Sequence, residues 1–155
     1  MALERYNSIE KLTQRFSQES VRKINRVVIT NQQTGQVAAS YKDTLIVFEA
    51  FFTLSPMAQA AIVAHEIGHN SQDCFLNFLL SVDFFELNGK PLSEELKDAI
   101  RLREELAADR RAEAILQTAG DNPDNLSIAL QELKRAGFSV PEPRIAAAQA
   151  LSVRK

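Results

Sequence analysis

Between Ser55 and His69 the chain reads Ser-Pro-Met-Ala-Gln-Ala-Ala-Ile-Val-Ala-His-Glu-Ile-Gly-His, and this stretch constrains the fold more than any other. Ser55 is a good helix N-cap, and Pro56 at the first helical position gives up only an N–H that has no intrahelical partner. The helix that follows is apolar on nearly all sides, so it belongs at the centre of the molecule. It nevertheless carries two imidazoles and a carboxylate, and buried polar groups need partners. Whatever surrounds this helix has to supply them.

The rest of the chain predicts mostly helix around a small sheet. Leu3, Ile9, Leu12, Phe16 and Val21 recur at mostly helical spacing and predict one or two amphipathic helices over residues 1–25. Arg26–Thr30 is a β-branched run that leads to Asn31-Gln32-Gln33-Thr34-Gly35, a strand and then a tight turn. Val37–Tyr41 and Thr44–Phe48, separated by Lys42-Asp43, predict two more strands. Cys74–Phe85 is the most apolar stretch, but Asn77, Ser81 and Asp83 interrupt it, and a bilayer span needs about 20 mostly apolar residues. It reads as a core helix or helical hairpin, with a membrane-touching segment as the alternative. Ser93 caps a helix from Glu94 to about Thr118, Asp124 or Asn125 opens another that stops at Ala136-Gly137, and Pro141 and Pro143 precede a last helix from about Arg144 to Val153. A length of 155 residues without repeat or linker fits a single domain, residues 1–155, whose end at 144–155 is a helix or tail.

His65-Glu66-Ile67-Gly68-His69 fits H-E-x-x-H. At a spacing of four, both imidazoles lie one turn apart on one helix face and can reach one metal ion. Zinc suits imidazole and carboxylate ligands and leaves a position for water; its charge lowers that water's pKa toward about 7, and Glu66, next to the first histidine, is placed to take the proton and pass it to a leaving amine. The chain has two histidines in all. Chance places them four apart roughly once in 80 arrangements, and with glutamate following the first roughly once in 1000, which bounds the false-positive rate of so short a motif.

No histidine remains for a third ligand, so the candidates are Asp73, Asp83, Glu86, Glu104, Glu105 and Asp109. Leu102, Glu105, Asp109, Ala112 and Leu116 share one otherwise apolar face of the Glu94–Thr118 helix. Two carboxylates on a core-facing stripe need a metal, a ligand histidine or a cation beside them. Glu105 is therefore expected as the third ligand and Asp109 as the carboxylate that orients a ligand histidine. The competing expectation pairs these acids with Arg110, Arg111 or Arg144, while Glu104 is expected with Lys97, Arg101 and Arg111 on a charged face. Gly68, Ala107 and Ala108 are small enough to let the two helices approach closely.

His65-Glu66-Ile67-Gly68-His69 followed by Glu105-Leu106-Ala107-Ala108-Asp109 resembles the paired H-E-x-x-H and E-x-x-x-D signature of gluzincin metallopeptidases. The form Glu-x-x-Ala-Asp is similar to the prenyl-protein (CAAX) endopeptidase and HtpX-like peptidase family, as is Pro143-Arg144-Ile145 near the end. The likeness extends from about Val27 to Leu151 and is densest in the two motifs. It implies zinc bound by His65, His69 and Glu105, Glu66 as general base, Asp109 steadying a histidine, and an edge strand near Val37–Tyr41 that holds an extended peptide. Because the position between the motifs holds only the interrupted Cys74–Phe85 segment, the chain resembles a soluble, minimal form, the minigluzincins. Tyr41 is a candidate for oxyanion stabilisation, although a tyrosine beside a sheet more often packs.

The expected architecture is thus α+β and zincin-like, with about three N-terminal strands packed on a mainly helical domain around the H-E-x-x-H helix. The expected activity is zinc-dependent hydrolysis of peptide bonds in a peptide or protein substrate; the alternative is a zinc-binding regulatory or interaction module on the same scaffold. A net charge of −2 offers no broad footprint for nucleic acid or anionic membrane. Interleaved Glu104, Glu105 and Glu113 make Arg101, Arg103, Arg110 and Arg111 a solvated helix face instead. The lone cysteine, Cys74, reads as a small buried hydrophobe, and with no apolar leader over Met1–Gln18 the expected location is cytoplasmic. The basic end, Arg154-Lys155, is either the frayed end of a packing helix or part of a tail across the cleft.

Overall fold

The computed structural model describes residues 2–17, 23–71, 89 and 92–153. Within these the protein is α+β, with five α-helices and one three-stranded mixed sheet. The expectations for Val21, Asp73, Cys74, the Cys74–Phe85 segment, Glu86 and Arg154-Lys155 lie outside the described residues.

Helix α1 spans Ala2–Ser17 and buries Ile9, Thr13 and Phe16, while Leu3 faces solvent. Thr13 satisfies its hydroxyl on the Ile9 carbonyl at 2.8 Å, so it joins the buried stripe at little cost. Strands β1 (Arg26–Thr30), β2 (Ala38–Tyr41) and β3 (Thr44–Phe48) lie in the order β1-β3-β2. β2 and β3 form a hairpin across Lys42-Asp43, with Lys42 in the left-handed region at φ 55°. β1 pairs with β3 in parallel, Arg26 opposite Thr44 through Thr30 opposite Phe48. The tight turn expected after β1 is therefore not the bend of a hairpin. Residues 31–37 form an irregular connection that carries the chain past the position of β3, stiffened where the Gln36 N–H donates to the Thr34 hydroxyl at 3.2 Å. The most apolar strand takes the centre: Leu45 and Val47 of β3 are fully buried.

A 3-10 turn, Glu49–Thr53, leads to α2, Pro56–Ser71. The Ser55 hydroxyl accepts the Ala58 N–H at 3.2 Å as the expected cap. The same serine donates its N–H (3.0 Å) and its hydroxyl to the Glu132 carboxylate, which ties the start of α2 to the helix that covers it. Residues 60–68 of α2 are buried without interruption. Helix α3 is Glu94–Thr118, capped by Ser93; α4 is Asn125–Arg135; α5 is Glu142–Val153. α2 packs most extensively on α3, then on α4, α1 and the edge strand β2. Gly137, at φ 91°, closes α4 while the Phe138 N–H bonds back to the Leu133 carbonyl at 3.0 Å, turning the chain into residues 138–141. α5 begins at Glu142, two residues before the expected Arg144, because Pro143 is tolerated inside a first turn whose N–H groups have no intrahelical acceptor. Among the described residues no helix is long and apolar enough to cross a membrane.

One close approach sets the α2–α3 geometry. A Cβ placed on Gly68 would stand 2.7 Å from the Ala108 carbonyl oxygen, inside any real carbon–oxygen contact. Gly68→Ala should therefore destabilise the protein by roughly 1–3 kcal/mol through overpacking, despite the better helix propensity of alanine by about 1 kcal/mol. Gly35, where an added methyl would meet nothing within 4 Å, serves as the control for substitution as such. Thermal melts of Gly68→Ala and Gly35→Ala check this; a Gly68→Ala protein as stable as the parent would show that the helices need not touch there.

Candidate metal centre

α2 offers Ile62, His65, Glu66 and His69 at positions i, i+3, i+4 and i+7, one face of the helix. His65 and Glu66 are buried, and His69 is half-buried. The two imidazole rings stand edge to face with centroids 4.7 Å apart. α3 crosses this face at the Gly68–Ala108 contact and brings Glu105 to both histidines: His65 Nε2 lies 3.2 Å from Glu105 Oε2, and His69 Nε2 lies 3.2 Å from Glu105 Oε1. One ligand atom from each of the three residues falls within 4.8 Å of the others.

These distances suit a shared cation. Bonds of about 2.0–2.1 Å in a tetrahedron place neighbouring ligand atoms about 3.3 Å apart, close to the nitrogen–oxygen separations found here. The tautomer fits as well. Asp109, one turn beyond Glu105, lies 2.7 Å from His65 Nδ1. A proton on Nδ1 donated to Asp109 leaves the Nε2 lone pair directed toward Glu105, and two acceptors facing each other at that distance need a proton or a metal between them. Two imidazoles and one carboxylate form a donor set that zinc and related transition metals accept.

Arg144 at the start of α5 closes the cluster. It donates from Nε to Asp109 Oδ2 and from Nη2 to Asp109 Oδ1, both at 2.8 Å, and its Nη1 lies 3.0 Å from Glu105 Oε2. The same carboxylates of α3 therefore face the histidines and pair with an arginine. Arg110 and Arg111 are exposed, and Glu104 is half-buried. Arg101 pairs with Asp98 one turn away, as a solvated helix face does.

The electrostatics follow from this packing. Burial disfavours a charged His65, but its hydrogen bonds to Asp109 and Glu105 and the nearby Glu66 charge outweigh burial and raise its pKa to about 10. Burial likewise disfavours the Glu105 and Asp109 carboxylates, and here too the partners win: His65 and His69 hold Glu105 well below the usual carboxylate range, and Arg144 and His65 lower Asp109. Arg144 is raised further by Asp109 and Glu105.

A cleft opens onto the cluster. Its walls include Gly35, Gln36, Val37 and Ala38 on one side, Ile62, His65, Glu66 and Glu105 along the helices, and residues of α4, the 138–141 segment and Arg144 on the other. β2 is an edge strand, held against α2 where the Ser40 hydroxyl donates to the Glu66 carbonyl at 3.2 Å. Tyr41 is exposed, with Lys42 Nζ 5.4 Å from its ring centre, and it does not line the cleft. Sequence reasoning misses the α4 wall, although Leu126, Ala129, Leu130 and Leu133 carry the three-and-four spacing of an apolar helix face. No protein-family model matches this chain, and a search of curated proteins finds no match.

Two outcomes test the centre. Removing the orienting carboxylate with Asp109→Ala should weaken zinc binding by roughly 10–100-fold, read by competition with a chelating dye. His65 must also lose a proton to ligate. Its raised pKa means that its ion pairs stabilise the metal-free fold fully below about 6.5 and progressively less as pH rises toward about 10. Metal competes with that proton, so the rise in Tm on adding zinc should grow between about pH 6 and about pH 8. A zinc-induced shift that stays constant over this interval would count against His65 as a ligand.

Proposed function

We propose that this protein is a zinc-dependent endopeptidase of the zincin type, with His65, His69 and Glu105 as metal ligands and Glu66 as general base. The observation that carries this reading is the meeting of both histidine Nε2 atoms with one Glu105 carboxylate at 3.2 Å, with Glu66 beside them in the cleft wall. The resemblance of the two sequence motifs to gluzincins of the CAAX-endopeptidase and HtpX-like type adds to it. Zinc bound to these residues would supply Lewis-acid polarisation of the scissile carbonyl and an acidified water.

The side chains divide the remaining work. Glu66, one residue from a ligand and buried at the cleft, takes a proton from the attacking water and hands it to the leaving amine. Asp109 holds the His65 ring by Nδ1 so that Nε2 faces the metal position. Arg144 keeps Asp109 ionised and turned toward that ring, and its Nη1 steadies Glu105. The cleft rim at Gly35–Ala38 runs into edge strand β2, and backbone groups at a sheet edge can pair with an extended peptide. The rim lies slightly N-terminal to the Val37–Tyr41 stretch that the resemblance implies. With a single cysteine giving no sign of an oxidising compartment, we place the enzyme in the cytoplasm.

The test separates a hydrolase from a zinc-binding module that does not turn over. Purified protein should contain zinc and digest unfolded casein, and a chelator should stop the digestion. Glu66→Gln should keep zinc while lowering turnover by about 100-fold or more, whereas Glu105→Ala should lose zinc. Full zinc occupancy with no cleavage of casein or of a peptide library would favour the module. Equal loss of metal in both variants would contradict the roles assigned here.

A further inference from the structure

A second groove, of about 540 Å³, runs between the outer face of α1 and the first turn of α2. Its walls include Glu4, Asn7, Ser8 and Lys11 of α1 with Pro56 and Gln59 of α2, and it shares no residue with the cleft at His65. Charge follows a fixed order along it: Glu4 stands at one end and Lys11 toward the other, with the uncharged Asn7 and Ser8 between them. Glu4 and Lys11 are exposed, and neither forms an ion pair among the described residues. They cannot satisfy each other, because seven residues of helix hold them about 10.5 Å apart along the axis. Other charges of α1 are matched, since Arg5 pairs with Glu49 at 3.0 Å and Arg15 with Asp121. Two large apolar side chains adjoin these walls in sequence and are left in water: Leu3, before Glu4, is 70% exposed, and Met57, after Pro56, is 50% exposed.

We propose that this groove is a contact surface between two copies of the chain, related by a two-fold axis, with their α1 helices antiparallel. A two-fold sets a patch against itself, so the patch must be complementary to its own reversed image. This one is. With the axis passing between Asn7 and Ser8, Glu4 of each copy meets Lys11 of the other, and the amides and hydroxyls face one another at the centre. A second copy carries the reversed pair of charges by construction, which an unrelated partner does not. Every favourable contact then occurs twice. A surface ion pair is worth little alone, so the dimer is weak and gains from Leu3 and Met57, which the second copy shields at the margin of the contact. The cleft at His65 stays open in such a pair, so the contact is independent of the endopeptidase reading.

Sedimentation equilibrium of the full chain should show a reversible dimer with a dissociation constant of about 10–500 µM, the transient range of a small polar interface. That constant should rise about tenfold between about 50 mM and about 500 mM NaCl, because salt screens exposed charges. Glu4→Lys sets lysine against lysine, and Lys11→Glu sets glutamate against glutamate, so each variant alone should dimerise at least about tenfold more weakly. Mixed in equal amounts, the two variants should form a heterodimer within about threefold of the parent affinity, because both opposed pairs are attractive again. The double variant Glu4→Lys, Lys11→Glu should recover the dimer by itself. Both positions are exposed, and thermal melts with unchanged zinc binding show that the variants fold. A chain that stays monomeric at about 1 mM lies outside even transient association and overturns the proposal. A dimer indifferent to salt or to either charge reversal, or failure to recover on mixing or in the double variant, overturns it equally.

Discussion

The contact of α2 with α3 at Gly68 and Ala108 is the constraint from which the site follows. Glycine at this position lets the backbone of one helix rest against the carbonyl of the other, so the axes come closer than ordinary side chains permit. At that separation a glutamate on α3 is long enough to reach two imidazoles on α2, and an aspartate one turn further is short enough to meet the back of the first ring. Larger residues at the crossing would separate the polar groups, leaving buried carboxylates and imidazoles with unmet hydrogen bonds. Residues 60–68 of α2 are buried without interruption at this crossing, which is why so polar a cluster can be held in one geometry.

That cluster is balanced by Arg144. Asp109 and Glu105 bring two negative charges to the core side of α3, and burial alone would push both toward neutrality. The guanidinium from α5 supplies a planar fork that matches Asp109 with two bonds and reaches Glu105 with a third nitrogen. The last helix therefore serves the centre directly: without α5 the acids would lose the fixed cation that keeps them ionised and aimed. Pro143 helps by starting that helix early enough to place Arg144 in its first turn.

The sheet and α4 form the two sides of the cleft. β3 fills the middle of the sheet because its inward residues are the most apolar, which leaves β2 at the edge against α2. On the opposite side, Glu132 of α4 binds the N-terminus of α2 through Ser55, fixing the distance between the two helices. Gly137 then reverses the chain so that Phe138 and Val140 return to the cleft.

Much of this was legible from the order of residues alone. Local rules placed the caps at Ser55 and Ser93, the stop at Gly137, and three strands between residues 26 and 48, because capping, positive φ and alternation act over a few residues. Helical periodicity put His65 with His69 and Glu105 with Asp109, because spacings of four recur on one face of any α-helix. What the sequence could not determine were relations between distant segments. Spacing allowed the acids of α3 either a histidine or an arginine as partner, and only the packing of α5 showed that they have both. Strand order, too, depended on which strand the core buries most, and the cleft depends on separate segments of the chain meeting. Local structure follows from short-range sterics and hydrogen bonds written in neighbouring residues, whereas a site assembled across a core depends on how whole elements exclude water together, which no short stretch of chain encodes.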